Sequence, residues 1–114
     1  MGNMDSILTS IKKLLGIATD DTSFDMDIII HINSVLLSLQ QIGVGPTAGF
    51  YIEDDKATWL EFVSDRFLSE IIKSYVYIKV RLVFDPPASP TILGALQASA
   101  DEYEWRITQH VANQ

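Results

Sequence analysis

The run of residues 64–87, SDRFLSEIIKSYVYIKVRLVFDPP, constrains the fold most, because it is the longest apolar-patterned stretch and it ends abruptly. A helix cannot continue through Pro86 and Pro87, since proline lacks the amide donor and its ring clashes with the preceding turn. At 100° per residue, one broad face of the run is apolar. That face comprises Phe67, Leu68, Ile71, Ile72, Tyr75, Ile78, Leu82 and Val83. So wide a face contacts more than one neighbour, and we interpret residues 65–84 as the central helix.

The second half of this run also fits a strand. Apolar and polar residues alternate over residues 75–84, and β-branched and aromatic residues favour strands. We prefer a helix because the helical period begins earlier, at Phe67, and continues without a break. Lys79 falls inside the apolar arc. Either its stem lies on the core edge with the ammonium in solvent, or it pairs with a carboxylate from another helix or subunit.

Composition limits the classes of function. A chain of 114 residues, 47 % of them hydrophobic, predicts a single domain over residues 1–114 with a modest core. The net charge of −7 argues against nucleic-acid binding through bulk electrostatics. The chain has no cysteine, no basic segment typical of a secretory signal, and no uncharged run near the roughly 20 residues that span a bilayer. We therefore expect no membrane association and a soluble intracellular protein, or part of a particle assembled inside a cell.

Helical patterns and helix-start signals predict an all-α bundle of four to five helices. Asp5 is a plausible N-cap for the first helix, which is too short to be stable alone and must dock on the body or on a partner. Thr58 and Glu61 match a capping box, and Ser89-Pro90 is a strong start signal. The predicted helices are residues 5–15, 24–42, 58–63, 65–84 and 89–109, with a long Gly-rich loop at 43–55 between the second and third helices.

Two sets of apolar residues are candidates for a subunit interface. The main stripe of helix 24–42 is Phe24, Ile28, Ile32, Val35, Leu36, Leu39 and Ile42. Nearly opposite lies a smaller set, Met26, Ile30 and Leu37, and a helix that is apolar on two sides is either sandwiched in a core or buried in an assembly. The long loop carries the second set, Phe50, Tyr51 and Ile52, which would be costly to expose unless they pack on something.

No residue pattern indicates catalysis or metal binding. His31 follows Asp27 by one turn, but a metal site needs three or four ligands and nothing else is predicted to point there. Asp101, Glu102 and Glu104 could act as paired carboxylates, yet no nucleophile accompanies them. Phosphate-binding, dinucleotide-binding and hydrolase motifs are absent. We predict no catalytic residue, no metal and no cofactor.

Four segments taken together resemble the small head–tail connector proteins of tailed bacteriophages, also called head-completion or adaptor proteins. The resemblance runs from about Leu14 to Ile107, and its most specific parts are residues 42–46 and 75–87. The four segments are 21–46 (DTSFDMDIIIHINSVLLSLQQIGVGP), 49–62 (GFYIEDDKATWLEF), 73–87 (KSYVYIKVRLVFDPP) and 102–107 (EYEWRI).

The resemblance implies a small all-helical virion protein without enzymatic activity. Members stack as a ring, commonly dodecameric, beneath the portal of the DNA-filled head, where the ring extends the DNA channel and docks the next connector or tail-completion protein. It places the protein at the head–tail junction of the virion, after assembly in the host cytoplasm. An acidic chain suits a channel through which DNA slides without specific binding. Because the C-terminal segment of such adaptors often contacts the portal, Trp105 and Arg106 are candidate portal contacts.

Other readings of the residues stay open. Trp105 lies off the apolar stripe of the last helix, so it is either a lid on a neighbouring helix or an interface anchor. A small regulatory or nucleic-acid-binding module would use Lys73, Tyr77 and Arg81 as a basic strip. A hydrolase would use the carboxylates near the C-terminus.

Overall fold

The computed structural model describes residues 6–113, and within them five helices and no strand are formed. The isolated bridge pair Ser6–Thr58 is the one extended pairing in that range. The prediction of a small all-α bundle is therefore confirmed. The helices are α1 Ile7–Leu14, α2 Asp25–Gln41, α3 Trp59–Phe62, α4 Arg66–Phe84 and α5 Pro90–Ala112.

Helix starts follow local capping chemistry. The predicted cap Asp5 lies outside the described residues, and Ser6 caps α1 by accepting the backbone N–H of Thr9 at 3.2 Å. Thr58 and Glu61 form the complete capping box of α3, and Ser89 caps α5 immediately before its proline. Each cap satisfies backbone donors that a helix N-terminus leaves unpaired.

The helix α4 is central, because it packs against each of the other four helices. Its helical assignment settles the choice between helix and strand. The buried face differs in detail from the predicted one. Val76 and Val80 are fully buried although the predicted arc omitted them, whereas Phe67 and Val83 are exposed. The two exposed residues lie in the first and last turns, where fewer neighbours cover the helix.

Helix α1 packs on the rest of its own chain and needs no partner protein to be covered. The Ile7 N–H donates to the carbonyl of Ala57 at 3.0 Å, and the indole N–H of Trp59 donates to Ser10 Oγ at 2.8 Å. Ile7 and Ile11 are fully buried beneath these contacts. Two long-range hydrogen bonds and an apolar stripe therefore compensate for the marginal stability of an eight-residue helix.

A buried ion pair joins α1 to the first turn of α2. Lys12 Nζ lies 2.8 Å from Asp25 Oδ1, and the Lys12 side chain is 4 % exposed. The same ammonium donates to the carbonyl of Thr19 at 3.2 Å. Lysine is almost never buried without such partners, so these contacts fix how α1 lies against α2.

Candidate assembly surface

Two carboxamide side chains of α2 hold the loop that follows it. Asn33 Nδ2 donates to the Ile52 carbonyl at 2.9 Å, and the Ile52 N–H donates to Asn33 Oδ1 at 2.8 Å. Gln40 binds the backbone of Phe50 in the same way: its Nε2 donates to the Phe50 carbonyl and its Oε1 accepts the Phe50 N–H, both at 2.8 Å. Asn33 and Gln40 are two helical turns apart and therefore lie on one side of α2. The side chains of a helix thus supply the hydrogen bonds that a neighbouring strand would otherwise give.

This arrangement decides which loop residues face solvent. Ile52 is 2 % exposed and belongs to the protein's own core. Phe50 is half-buried, with its ring 5.2 Å from that of Phe62. Tyr51, between the two held residues, is 66 % exposed. Of the three loop candidates for a subunit interface, Tyr51 is open to a partner, Phe50 is partly open, and Ile52 is covered by its own chain.

The glycines before this segment permit its path. Gly45 has a φ of +96°, a conformation that side chains disfavour. A Cβ at this position would also lie 2.5 Å from Phe62 Cε1. Gly45 therefore lets the loop pass directly over the Phe62 ring on its way to Phe50.

The candidates on α2 are exposed. Met26 is 77 % exposed, and Ile30 and Leu37 each expose more than half of their surface. Met26 and Ile30 form one wall of a groove of about 640 Å³, whose opposite wall contains Tyr51. The fold thus brings together two sets of candidates that are more than 20 residues apart in sequence. Leu37 does not line this groove and lies further along α2.

The rim of the groove is acidic. Glu53, Asp54 and Asp55 follow Tyr51 around its edge, and Asp25 closes the end near α1. Asp25 is already paired with Lys12, whereas within residues 6–113 the three loop carboxylates have only the exposed Lys56 as a cationic neighbour. An apolar floor with a negative rim fits a partner surface that presents an apolar side chain next to a positive charge.

A second cavity, of about 520 Å³, lies between α2, α4 and α5. Tyr75 donates its hydroxyl to Glu104 Oε1 at 3.1 Å within it. Burial, followed by this hydrogen bond and the nearby carboxylates, raises the pKa of Tyr75 to about 12. Lys79 also lines the cavity, half-buried, and no carboxylate of residues 6–113 lies within ion-pair distance of it. A partner for Lys79 on another helix is therefore not found in the described part of the chain.

The candidate portal contacts lie apart from the groove. Trp105 is 63 % exposed and so does not serve as a lid on a neighbouring helix. Arg106 pairs with Glu102 at 2.6 Å along the same helix. Neither residue lines the groove between α2 and the loop. They form a separate exposed site on α5.

The residues of the alternative readings are occupied by internal contacts. Lys73 lies 3.5 Å from Glu70, and Arg81 donates to the Tyr77 hydroxyl at 3.1 Å. Among the C-terminal carboxylates, Glu104 accepts from Tyr75 and Glu102 pairs with Arg106. His31 lies near the ring of Phe84, and the described residues contain no group of three potential metal ligands.

Sequence reasoning missed the residues that shape the groove. Asn33 and Gln40 looked like ordinary polar positions on α2. The available signal was their spacing of two turns beside a buried stripe, opposite a loop whose backbone needs hydrogen-bond partners. Lys12 gave no such signal, because its burial against Asp25 and Thr19 is visible in the structure alone.

A comparison with protein families supports the resemblance noted in the sequence. A family model described as phage connector protein matches residues 7–114. No curated protein and no solved structure matches the chain. In residues 6–113, no helix has the length and apolarity to cross a membrane. Since the match covers all five helices, the chain belongs to the phage connector protein family and serves as a structural connector of a bacteriophage.

Proposed function

We propose that this connector forms an adaptor ring beneath the portal, where it links the DNA-filled head to the tail and extends the DNA channel. The observation that carries the proposal is the exposed groove built by Met26, Ile30 and Tyr51. Large apolar side chains gathered on the surface of a small protein are typical of protein–protein contact sites. In a family of connectors, the neighbouring copy is the first partner to consider.

The groove supports lateral assembly of several copies. It lies on one side of the molecule and is not self-complementary in charge, because its rim is acidic. A contact between two different surfaces repeats from copy to copy and closes as a ring when the rotation allows it. We propose a dodecameric ring, as in the head–tail connectors that the sequence resembles. Leu37 then provides a further apolar contact beyond the groove.

The charge distribution supports passage of DNA without specific binding. The chain carries a net charge of −7, and like charge opposes the adsorption of phosphates. The basic strip of α4 offers little to DNA, because Lys73 has Glu70 beside it and Arg81 is bound to Tyr77. The role is structural and needs neither a catalytic residue nor a cofactor.

The two ends of the ring would contact different partners. Trp105 and Arg106, exposed on α5 away from the groove, are the proposed portal contacts. Tryptophan and arginine are enriched among the residues that dominate protein–protein binding energy. The opposite end of the ring docks the next connector or the tail-completion protein. The completed ring belongs to the head–tail junction of the virion and is assembled in the host cytoplasm.

Electron microscopy of the chain mixed with its portal protein tests this proposal. We expect a ring of added density, stacked on the portal and surrounding an open channel. Leu37→Asp should abolish the ring while leaving the helical content unchanged, because the residue is exposed on α2. Gln97→Asp adds the same charge at an exposed, non-apolar position of α5 and should leave the ring intact. Portal particles without added density would contradict the proposal.

A further inference from the structure

The first turn of α4 exposes a large aromatic side chain. Phe67 is 77 % exposed, as exposed as Met26, and no other aromatic ring of the described residues stacks on it. It follows Arg66, whose exposed guanidinium has no carboxylate of residues 6–113 within ion-pair distance. The neighbouring Asp65 carboxylate caps the helix by accepting the N–H groups of Phe67 and Leu68. Arg66 and Phe67 together, the knob, present a positive charge beside an apolar ring.

The knob lies near the end of α2, whereas the groove begins at the start of α2. Phe24 packs edge-on against Phe84 at 5.6 Å, so α2 begins where α4 ends. Leu68, near the start of α4, lines a cavity with Val44, which follows the end of α2. Met26 lies in the first turn of α2, whose 17 residues span about 25 Å, so it is far from the end of α2 that faces the start of α4. The lining of the groove accordingly includes neither Arg66 nor Phe67 of the same copy.

The knob and the groove are complementary in size, in apolar character and in charge. The groove offers about 640 Å³ lined by Met26, Ile30 and Tyr51, and an apolar cavity of roughly 150 Å³ already holds a benzene ring. Its rim supplies the carboxylates of Glu53, Asp54 and Asp55 for a guanidinium.

From this complementarity we infer that the groove of one copy receives Phe67 and Arg66 of the next copy. The inference rests on the proposed ring and names the contact that builds it. Because groove and knob are different surfaces, the contact runs head to tail and leaves one groove and one knob free on every pair.

Complementation of two variants tests this contact by native mass spectrometry. The knob variant Arg66→Glu/Phe67→Ser keeps its groove, and the groove variant Ile30→Asp keeps its knob. Each variant alone should be monomeric, and their mixture should give a one-to-one pair and nothing larger. All substituted side chains are exposed, so circular dichroism and thermal unfolding should match the wild type. A mixture that stays monomeric, or either variant still forming the wild-type oligomer, would overturn the contact.

A charge exchange gives a second, independent readout. Arg66→Glu alone and Glu53→Arg alone should each weaken self-association several-fold, and the chain carrying both should recover most of the loss. Failure of the double variant to recover would overturn the pairing of the rim with Arg66. Wild-type chains that form rings through other surfaces would refute this contact while leaving the adaptor ring intact. Electron microscopy of the chain mixed with the portal protein tests the existence of the ring independently of this contact.

Discussion

Asn33 and Ile52, 19 residues apart, are joined by two hydrogen bonds that together satisfy both backbone polar groups of a buried residue. The side chain of α2 thereby determines where the following loop lies. Tyr51 lines the groove because the residues on either side of it, Phe50 and Ile52, are hydrogen-bonded to side chains of α2. The geometry of the proposed interface thus depends on a contact within one copy.

We expect Asn33→Ala to destabilise the protein and to loosen the loop. The substitution leaves the N–H and carbonyl of Ile52 without their partner, and an unsatisfied buried polar group costs about 1–3 kcal/mol. Chemical denaturation gives the free energy of unfolding, and hydrogen exchange at Ile52 gives the local effect. Asn33→Asp is the matched control, because it keeps the acceptor for the N–H but loses the donor to the carbonyl. Unchanged exchange at Ile52 in the alanine variant would refute the role of Asn33.

The contact between Trp59 and Ser10 should show strong coupling. Ser10→Ala leaves the buried indole N–H without its acceptor, at a cost of about 1–3 kcal/mol. On a Trp59→Phe background the same substitution should cost much less, because the donor is gone. A double-mutant cycle of unfolding free energies measures the difference. Equal costs of Ser10→Ala in both backgrounds would show that the hydrogen bond contributes little to docking α1.

Removing Asp25 should lower the free energy of unfolding more than removing its partner Lys12. Lys12 is 4 % exposed and Asp25 27 % exposed in their side chains. Asp25→Asn strands a buried ammonium, which is more costly than the partly hydrated carboxylate that Lys12→Met leaves behind. We expect a loss of about 3 kcal/mol or more for Asp25→Asn and a smaller loss for Lys12→Met. Thermal unfolding of both variants checks the order, and the reverse order would contradict this account of the burial.

Tyr75 should ionise at a higher pH than an ordinary tyrosine. Its pKa is raised from 10.0 to about 12 by burial and then by the hydrogen bond that its hydroxyl donates to the Glu104 carboxylate. A raised folded-state pKa means that this contribution to stability is complete below pH 10 and is lost as the pH rises through about 12. Ultraviolet titration of tyrosinate should show a late step that disappears in Tyr75→Phe and moves to lower pH in Glu104→Gln. A late step that persists in Tyr75→Phe would assign it to another residue.

Periodicity predicted the helices well because the apolar stripes are local features of the sequence. The run from Phe67 onward indicated the helix α4, and the capping pattern of Thr58 and Glu61 indicated the start of α3. The position of the stripe on α4 was less predictable, since four neighbouring helices bury a wider arc than one apolar face defines. Phe67 was therefore assigned to the core although it is exposed.

The candidate surface was predictable only in part. Met26, Ile30 and Leu37 stood out because they oppose the main stripe of α2. Ile52 could not be separated from Tyr51 by sequence, because the bonds that bury one and expose the other come from side chains far away along the chain. The groove itself, and the distance between it and Phe67, depend on tertiary packing that no local pattern encodes.

The solution mass of the intact chain tests the central claim most directly. Native mass spectrometry over a wide range of concentrations measures how many copies associate. The account predicts one closed species of many copies, with no stable dimer along the way, because a head-to-tail contact does not stop at two. A dimer that persists at every concentration would contradict the account. In a two-fold dimer both copies use the same surface, so no groove is left to bind a third copy and no ring forms.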